Sequence, residues 1–231
     1  MKQRAGFTLA ELLIVMGIIA IIFAVAIPRF EDIGRGGKMR AALNELRSTL
    51  GLARQWAIAN REDVFVVLPD DFSAVYSGLP TNEYAKALRS YAVYTRNRGY
   101  IKDWTYLPLG VYFVDNYNSA LASNRTGGCI NPSRNVFRSS TIYSGSQAIP
   151  FPTAGSTTKN LNALRFSPQG WAQENAGGTF VDFDFYLAEG VALEGLAGRV
   201  VNIVWKDNPV VWRIAVNPMT GVLRTYDCSQ L

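Results

Sequence analysis

The chain has 231 residues, 48% of them hydrophobic and only 18% charged, with a net charge of +5; that is enough for one domain with a real core and a small appendage. It contains no histidine and two cysteines, Cys129 and Cys228, which excludes Ser-His-Asp and Cys-His catalysis, histidine–metal sites, a four-thiolate zinc site and an iron–sulfur cluster. The modest positive charge permits an anionic partner without demanding one.

The apolar residues are concentrated at the front. Residues 12–27 form a run of sixteen without a charged or strongly polar side chain, and extension back to Phe7 gives 21, interrupted only by Thr8 and Glu11. At about 1.5 Å per residue, such a helix is roughly 30 Å long, one bilayer core. Residues 7–27 are therefore expected to span a membrane. Lys2 and Arg4 ahead of the run also fit the n-region of a signal peptide. That alternative requires a small-residue cleavage site after the run, and Ile27-Pro28-Arg29-Phe30 is a poor one. Glu11 lies inside the apolar segment, where a carboxylate must neutralise or find a cation. The charge rule leaves orientation open, because Lys2 and Arg4 flank one end while Arg29, Arg35, Lys38 and Arg40 flank the other.

Pro28, followed by Gly34, Gly36 and Gly37, predicts a break or kink after the span. Helical periodicity resumes over residues 39–59: Met39, Leu43, Leu46, Leu50, Ala53 and Ala57 step by three and four. This stripe is expected to pack on a sheet of the same chain, with a partner-binding seam as the alternative. The remainder reads as β-rich. Residues 64–68, 91–95, 111–114 and 161–167 are strand candidates, and 81–89 is a short helix candidate. Residues 181–187 alternate apolar with Asp182, Asp184 and Tyr186, the pattern of a half-buried strand with surface aspartates. Residues 200–205, 210–216 and 222–226, separated by turns at 206–209 and 217–221, read as a closing meander.

Residues 115–160 are dense in Ser, Asn, Thr, Gly and Pro, a loop expected either to contact partners or to have no dedicated role. Asp182 and Asp184 could bind a cation or act as paired carboxylates, but aspartates on the surface of a strand are the simpler reading. Neither a D-x-D-x-D-G loop nor a Walker A lysine motif is present. Arg89, Arg96, Arg98 and Lys102 are interleaved with Tyr91, Tyr94, Tyr100 and Trp104. Such a patch suits single-stranded nucleic acid, yet a solvated sheet edge is the simpler reading, and nucleic acid is not an expected partner.

Gly6-Phe7-Thr8-Leu9-x-Glu11-Leu12, followed by the long apolar helix, resembles the prepilin signature of type IV pilins and type II secretion pseudopilins. Residues 52–58, the Leu164-Arg165-Phe166-Ser167-Pro168-Gln169-Gly170 stretch and the closing Asn217-Pro218-x-Thr220-Gly221-x-Leu223-Arg224 resemble the GspH and FimT-like minor members. The resemblance implies an α+β, pilin-like fold: a long N-terminal helix, transmembrane in its first half, packed on antiparallel sheet. It implies a leader at 1–6, a helix over 7–59 (7–27 transmembrane, 39–59 amphipathic) and a periplasmic β-rich domain over 60–231 with a loop-rich insertion around 76–160. A prepilin peptidase would cut between Gly6 and Phe7 and methylate the Phe7 amine. Glu11 would meet the Phe7 amine of a neighbouring subunit in a filament, and Pro28 takes the place of the family's helix-disrupting proline. Outside the cytoplasm, Cys129 and Cys228 could pair, as C-terminal cysteines do in many pilins; two reduced thiols are the alternative. The implied protein is a structural subunit and not an enzyme, with no cofactor and no metal. It would reside in the inner membrane with other pilin or pseudopilin subunits and the secretion or pilus assembly platform as partners. The alternatives are a type IV pilus minor pilin and a membrane-tethered periplasmic enzyme or binding domain.

Overall fold

The computed structural model describes residues 9–115, 129–130, 134, 137, 146–173, 183–195, 198–206 and 209–228, with side chains for all of these except 24–36, 146 and 173. By internal contacts the chain divides into two units, Met1–Arg40 and Ala41–Leu231.

The first unit carries the start of helix α1, which runs Leu9–Asn60. The helical backbone continues through Pro28, the position where a break or kink is expected. A proline removes one backbone donor and crowds the preceding turn; those are local costs that a helix can absorb as a bend without ending. Among the described residues no helix is long and apolar enough to cross a membrane. The described side chains of the apolar run stop at Phe23, short of the expected end at residue 27.

In the second unit the expected amphipathic stripe is present. Leu43, Leu46, Leu50, Ala53 and Ala57 are buried, together with Ala42 and Thr49. This part of the helix packs on antiparallel sheet. The first sheet has the order β3-β2-β1-β6-β5, built from β1 (Val64–Leu68), β2 (Ser90–Thr95), β3 (Gly99–Tyr106), β5 (Ser146–Pro150) and β6 (Thr158–Phe166). The short β7 (Ala172–Gln173) pairs with the end of β6. Val66 lies opposite Val93 on one side and Leu164 on the other. Lys102 Nζ, lying over the Tyr91 ring, donates to Thr49 Oγ1 of α1 at 2.8 Å, which joins helix to sheet.

The opposite face of this sheet is not solvated. Phe65, Val67, Leu161, Ala163 and Ile149 are buried there with Val75 and Tyr76 of α2 (Ser73–Tyr76) and with Phe151. The expected short helix is a 3-10 helix, Thr81–Lys86. Tyr94, Tyr100 and Trp104 pack against this cluster.

The second sheet has the order β11-β10-β8-β4, from β4 (Val111–Phe113), β8 (Phe183–Glu194), β10 (Val211–Val216) and β11 (Leu223–Asp227). The closing strands are not a simple meander. β9 (Val201–Trp205) pairs with the second half of β8, Val191 facing Val204, whereas β10 pairs with the first half, Phe185 facing Ile214. A 12-residue strand is long enough to serve both neighbours.

β8 also corrects the half-buried reading, since every residue from Phe183 to Ala188 is buried. One face holds Phe183, Phe185 and Leu187. The other holds Tyr186 and Ala188, which cluster with Val114, Cys129, Ile130, Val211 and Cys228. Asp184 is 0% exposed, not a surface aspartate, because chain from the insertion lies over the face it shares. Asp182 is outside the described residues. The 76–160 insertion accordingly contributes β2 to β5 and cover for both sheets. Residues 116–128 and most of 131–145 lie outside the described residues.

Candidate assembly surface

The front of α1 is a continuous apolar surface. Leu9, Leu12, Leu13, Ile14, Val15, Met16, Ile18, Ile19, Ile21, Ile22 and Phe23 are all exposed, from 41% at Ile19 to 79% at Leu9. They point to every side of the helix, since no 3.6-residue stripe is spared. Each such side chain gains about 1.5–3 kcal/mol on leaving water, so a helix of this kind requires lipid or other helices around it. Glu11 is the acid of the first turn, where the positive end of the helix dipole favours a carboxylate. Gly6 and Phe7 lie outside the described residues. Pro28 lies within the helix, and nothing is described of its side chain.

The two cysteines are joined. Cys129 and Cys228 form a disulfide with a Cα–Cα distance of 5.7 Å, 99 residues apart in sequence. Both are buried, and the bridge ties the segment over the second sheet to the end of β11.

The three weaker motifs of the sequence meet in space. Arg54 Nε on α1 donates to the Gly170 carbonyl at 3.2 Å. Gly170 and Gly221 have φ of +83° and +63°, the left-handed region that glycine enters without cost. The Ala172 N–H donates to the Pro218 carbonyl at 2.9 Å. Asn217 Oδ1 accepts from the N–H groups of Met219 and Thr220, both at 3.0 Å, and so shapes the closing turn. The segments 52–58, 164–170 and 217–224 therefore form one junction between helix and turns.

The basic–aromatic patch does not form a binding platform. Tyr91 is fully buried, Tyr94, Tyr100 and Trp104 belong to the first sheet's outer cluster, and Tyr100 and Trp104 donate to the carbonyls of Pro150 and Pro152. The cations lie over rings: Arg89 over Tyr106, Arg96 over Phe65, Arg98 over Trp56 and Lys102 over Tyr91. These aromatic faces are occupied by the protein itself. Asp184 receives the Tyr186 hydroxyl at 2.9 Å and pairs with Arg213 at 3.0 Å. Burial pushes its carboxyl above the ordinary range, against the opposing pull of Arg213 and Tyr186.

One cluster had no local signal in the sequence. Asp71, Asp115 and Arg199 come together under the β8–β9 connection, although 128 residues separate Arg199 from Asp71 and 84 separate it from Asp115. Only the doublet Asp70-Asp71 at the end of an apolar strand could have drawn attention to them.

Comparison with known proteins decides the family. Residues 1–27 match the prokaryotic N-terminal methylation motif, and residues 42–219, more than half of the chain, match the family Type II transport protein GspH. The chain belongs to the GspH family. This GspH-family chain is also similar to two curated proteins, each described as a fimbrial protein of Pseudomonas aeruginosa. Each is 35% identical over 71 residues, covering 31% of this chain and 46% of the relative. The chain thus spans about half the length of the curated relatives it matches. No solved structure matches it. Membership makes this GspH-family chain a minor pseudopilin, a structural and non-enzymatic protein, with the α+β pilin-like architecture described above. The methylation motif implies anchoring in the inner membrane by the N-terminal helix, with the β-rich domain in the periplasm. The GspH match covers residues 76–160, so the insertion lies inside the family domain.

Proposed function

We propose that the chain is a minor subunit of a type II secretion pseudopilus, stored in the inner membrane and drawn into the filament by its N-terminal helix. The observation that carries this reading is the methylation motif and the GspH domain on one chain. The prepilin peptidase removes residues 1–6, cutting between Gly6 and Phe7, and methylates the Phe7 amine. The mature helix begins at Phe7, and residues 7–27 lie in the bilayer until neighbouring helices replace lipid. Between apolar helices in lipid, close packing and polar pairing carry specificity. Cleavage creates a cation at Phe7 one helical turn from Glu11, and in a staggered bundle the Glu11 carboxylate meets the Phe7 amine of the next subunit. That pair fixes the register of the two helices. Pro28 gives the helix a weak point at the end of the apolar run. The assembly platform and the other pseudopilins are the partners.

The test is Glu11→Ala, followed by intact mass of the membrane-extracted protein and by recovery of the subunit in sheared filaments. Leaving one half of a buried ion pair unmatched costs about 3–5 kcal/mol, so incorporation should fall about a hundredfold or more while the leader is still removed. Normal incorporation of the processed variant would refute the pairing. The similarity to fimbrial proteins favours a second reading, a minor pilin of a type IV pilus. Deleting the gene separates the two: a secretion defect supports the first, and a loss of surface pili with normal secretion supports the second.

A further inference from the structure

Two rows of side chains stand on one face of the second sheet. Strand pairing places Asp184 of β8, Ala215 of β10 and Arg224 of β11 in one row, and Tyr186, Arg213 and Tyr226 in the next. The chain at Cys129 and Ile130 covers this face at Tyr186 and Ala188. Farther along the same face, beside the closing turn, lies a cavity of about 190 Å³ lined by Asp184, Arg213, Ala215, Val222 and Arg224. Ala215, on the middle strand of the three, puts only a methyl group between Asp184 and Arg224, so the space above it stays open.

The charges around this cavity are unequal. Arg213 Nε pairs with Asp184 Oδ2 at 3.0 Å, and its guanidinium lies 5.3 Å from the centre of the Tyr226 ring. The carboxylate of Asp184 is thereby matched. Arg224 is exposed, and among the described residues its side chain makes no ion pair or hydrogen bond. Arg134 also lines the cavity, but it has contacts of its own, and the site does not depend on it. Beside the cavity the surface is apolar. Val222, at the rim, is 50% exposed, and Met219, Trp171 and Ile58 are exposed as well. They stand on three abutting segments: the Ala172 N–H donates to the Pro218 carbonyl at 2.9 Å, and a Cβ on Gly170 would lie 2.9 Å from Ile58 Cδ1.

We propose that the cavity and its apolar rim dock an acidic segment of another protein, one carboxylate side chain entering over Ala215 to pair with Arg224 while apolar neighbours rest on Val222, Met219, Trp171 and Ile58. The arginine fork matches a carboxylate with two parallel hydrogen bonds. Arg213, held by Asp184 and Tyr226, keeps a second guanidinium in place beside it. The cavity suits one side chain and is smaller than the roughly 300–1,000 Å³ of a pocket for a drug-sized ligand or cofactor. Arginine, methionine and aromatic residues are the types that protein interfaces concentrate, and they are the types present here. A nucleic acid would need a basic groove with open aromatic faces, whereas the Tyr226 ring is covered by Arg213. A second copy is the less complementary occupant, because the chain carries a net charge of +5. The docking site is independent of which filament the N-terminal helix enters.

The experiment uses the full chain, isotope-labelled for amide NMR, in nanodiscs of zwitterionic lipid at about 0.15 M salt, where exposed charges more than about 8 Å apart are screened. The probe is the blocked tripeptide acetyl-Val-Glu-Val-amide, compared with acetyl-Val-Gln-Val-amide, inorganic phosphate and an oligothymidylate. The Glu peptide should shift the amides of Arg213, Val222 and Arg224 saturably. The Gln peptide should bind about fivefold more weakly or worse, because a charged hydrogen-bond partner is replaced by a neutral one. Arg224→Gln removes the unmatched cation, and Ala215→Leu fills the cavity without a change of charge; each should weaken binding of the Glu peptide by a similar factor. Arg47→Gln, at an exposed arginine of α1, should leave it unchanged. Equal binding of the two peptides, no saturable shift at these amides, or an R47Q loss as large as that of R224Q would overturn the acidic docking site. Phosphate binding as tightly as the Glu peptide would reduce it to an ion site, and tighter binding of the oligothymidylate would replace it by a nucleic-acid surface; either result also overturns it.

Discussion

Gly221 shows how much one atom weighs at the junction of helix and turns. Its φ is +63°, and a Cβ placed there would lie 2.5 Å from the Gly170 carbonyl oxygen and 2.7 Å from Arg54 Cδ. The first neighbour is backbone, which cannot rotate away as a flexible side chain does. Gly221→Ala should therefore destabilise by at least the about 1–3 kcal/mol of a strained backbone position, and the crowding adds to it. Gly155 provides the comparison, because nothing lies within 4 Å of its hypothetical Cβ and its φ is not positive. Urea unfolding of both variants checks this: G155A should stay near wild type, and an equally stable G221A would show that the closing turn moves aside freely. The same residue explains why the third weak motif of the sequence has the form Asn-Pro-x-Thr-Gly: Asn217 fixes the turn from inside and Gly221 lets it reach Gly170.

At the level of elements, the disulfide and the strand order carry the argument. The Cys129–Cys228 bridge spans 99 residues, and cross-linking a loop of about 100 residues is worth about 4.7 kcal/mol in the chain-entropy account. The bridge lies in the small cluster over the second sheet, with Tyr186 and Ala188, and not among the buried side chains of α1. Replacing both cysteines by serine should lower unfolding stability by several kcal/mol while far-ultraviolet circular dichroism stays close to that of wild type. A loss of more than about 1 kcal/mol is required; a smaller one would mean that the segment is held by packing alone. The elements legible in the sequence are those with a local cause. β1, β2 and β6 are short apolar runs closed by turn residues, and the stripe of α1 has the helical period. β3 was not legible, since Lys102 and Asp103 interrupt it, and its aromatic residues matter through partners elsewhere, as in the Tyr94–Tyr100 ring pair at 5.3 Å. The burial of Asp184 was not legible either. Alternation tells which residues share a face of β8, but not that Cys129 and Ile130 would cover it.

For the molecule as a whole, its two units present opposite solvation problems. The strongest signal in the sequence is local, residues 6–12 and the apolar run behind them, which match the N-terminal methylation motif. Nothing comparable marks Asp71, Asp115 and Arg199, which only the fold brings together. The Ala41–Leu231 unit contains both sheets, both outer clusters, the disulfide and the buried stripe Leu43, Leu46, Leu50, Ala53 and Ala57. It therefore has its own core and the cross-link that a domain of this size can use. The Met1–Arg40 unit exposes eleven large apolar side chains from Leu9 to Phe23 and buries none of them within itself. A chain beginning at Ala41 should then be monomeric in detergent-free buffer and unfold in one cooperative transition, whereas the full chain should need detergent or lipid to stay dispersed. Size-exclusion chromatography with light scattering and thermal melting check both halves of the statement. Aggregation of the shortened chain, or a broad non-cooperative melt, would mean that the β-rich domain depends on the apolar helix for its fold and not only for its place in the membrane.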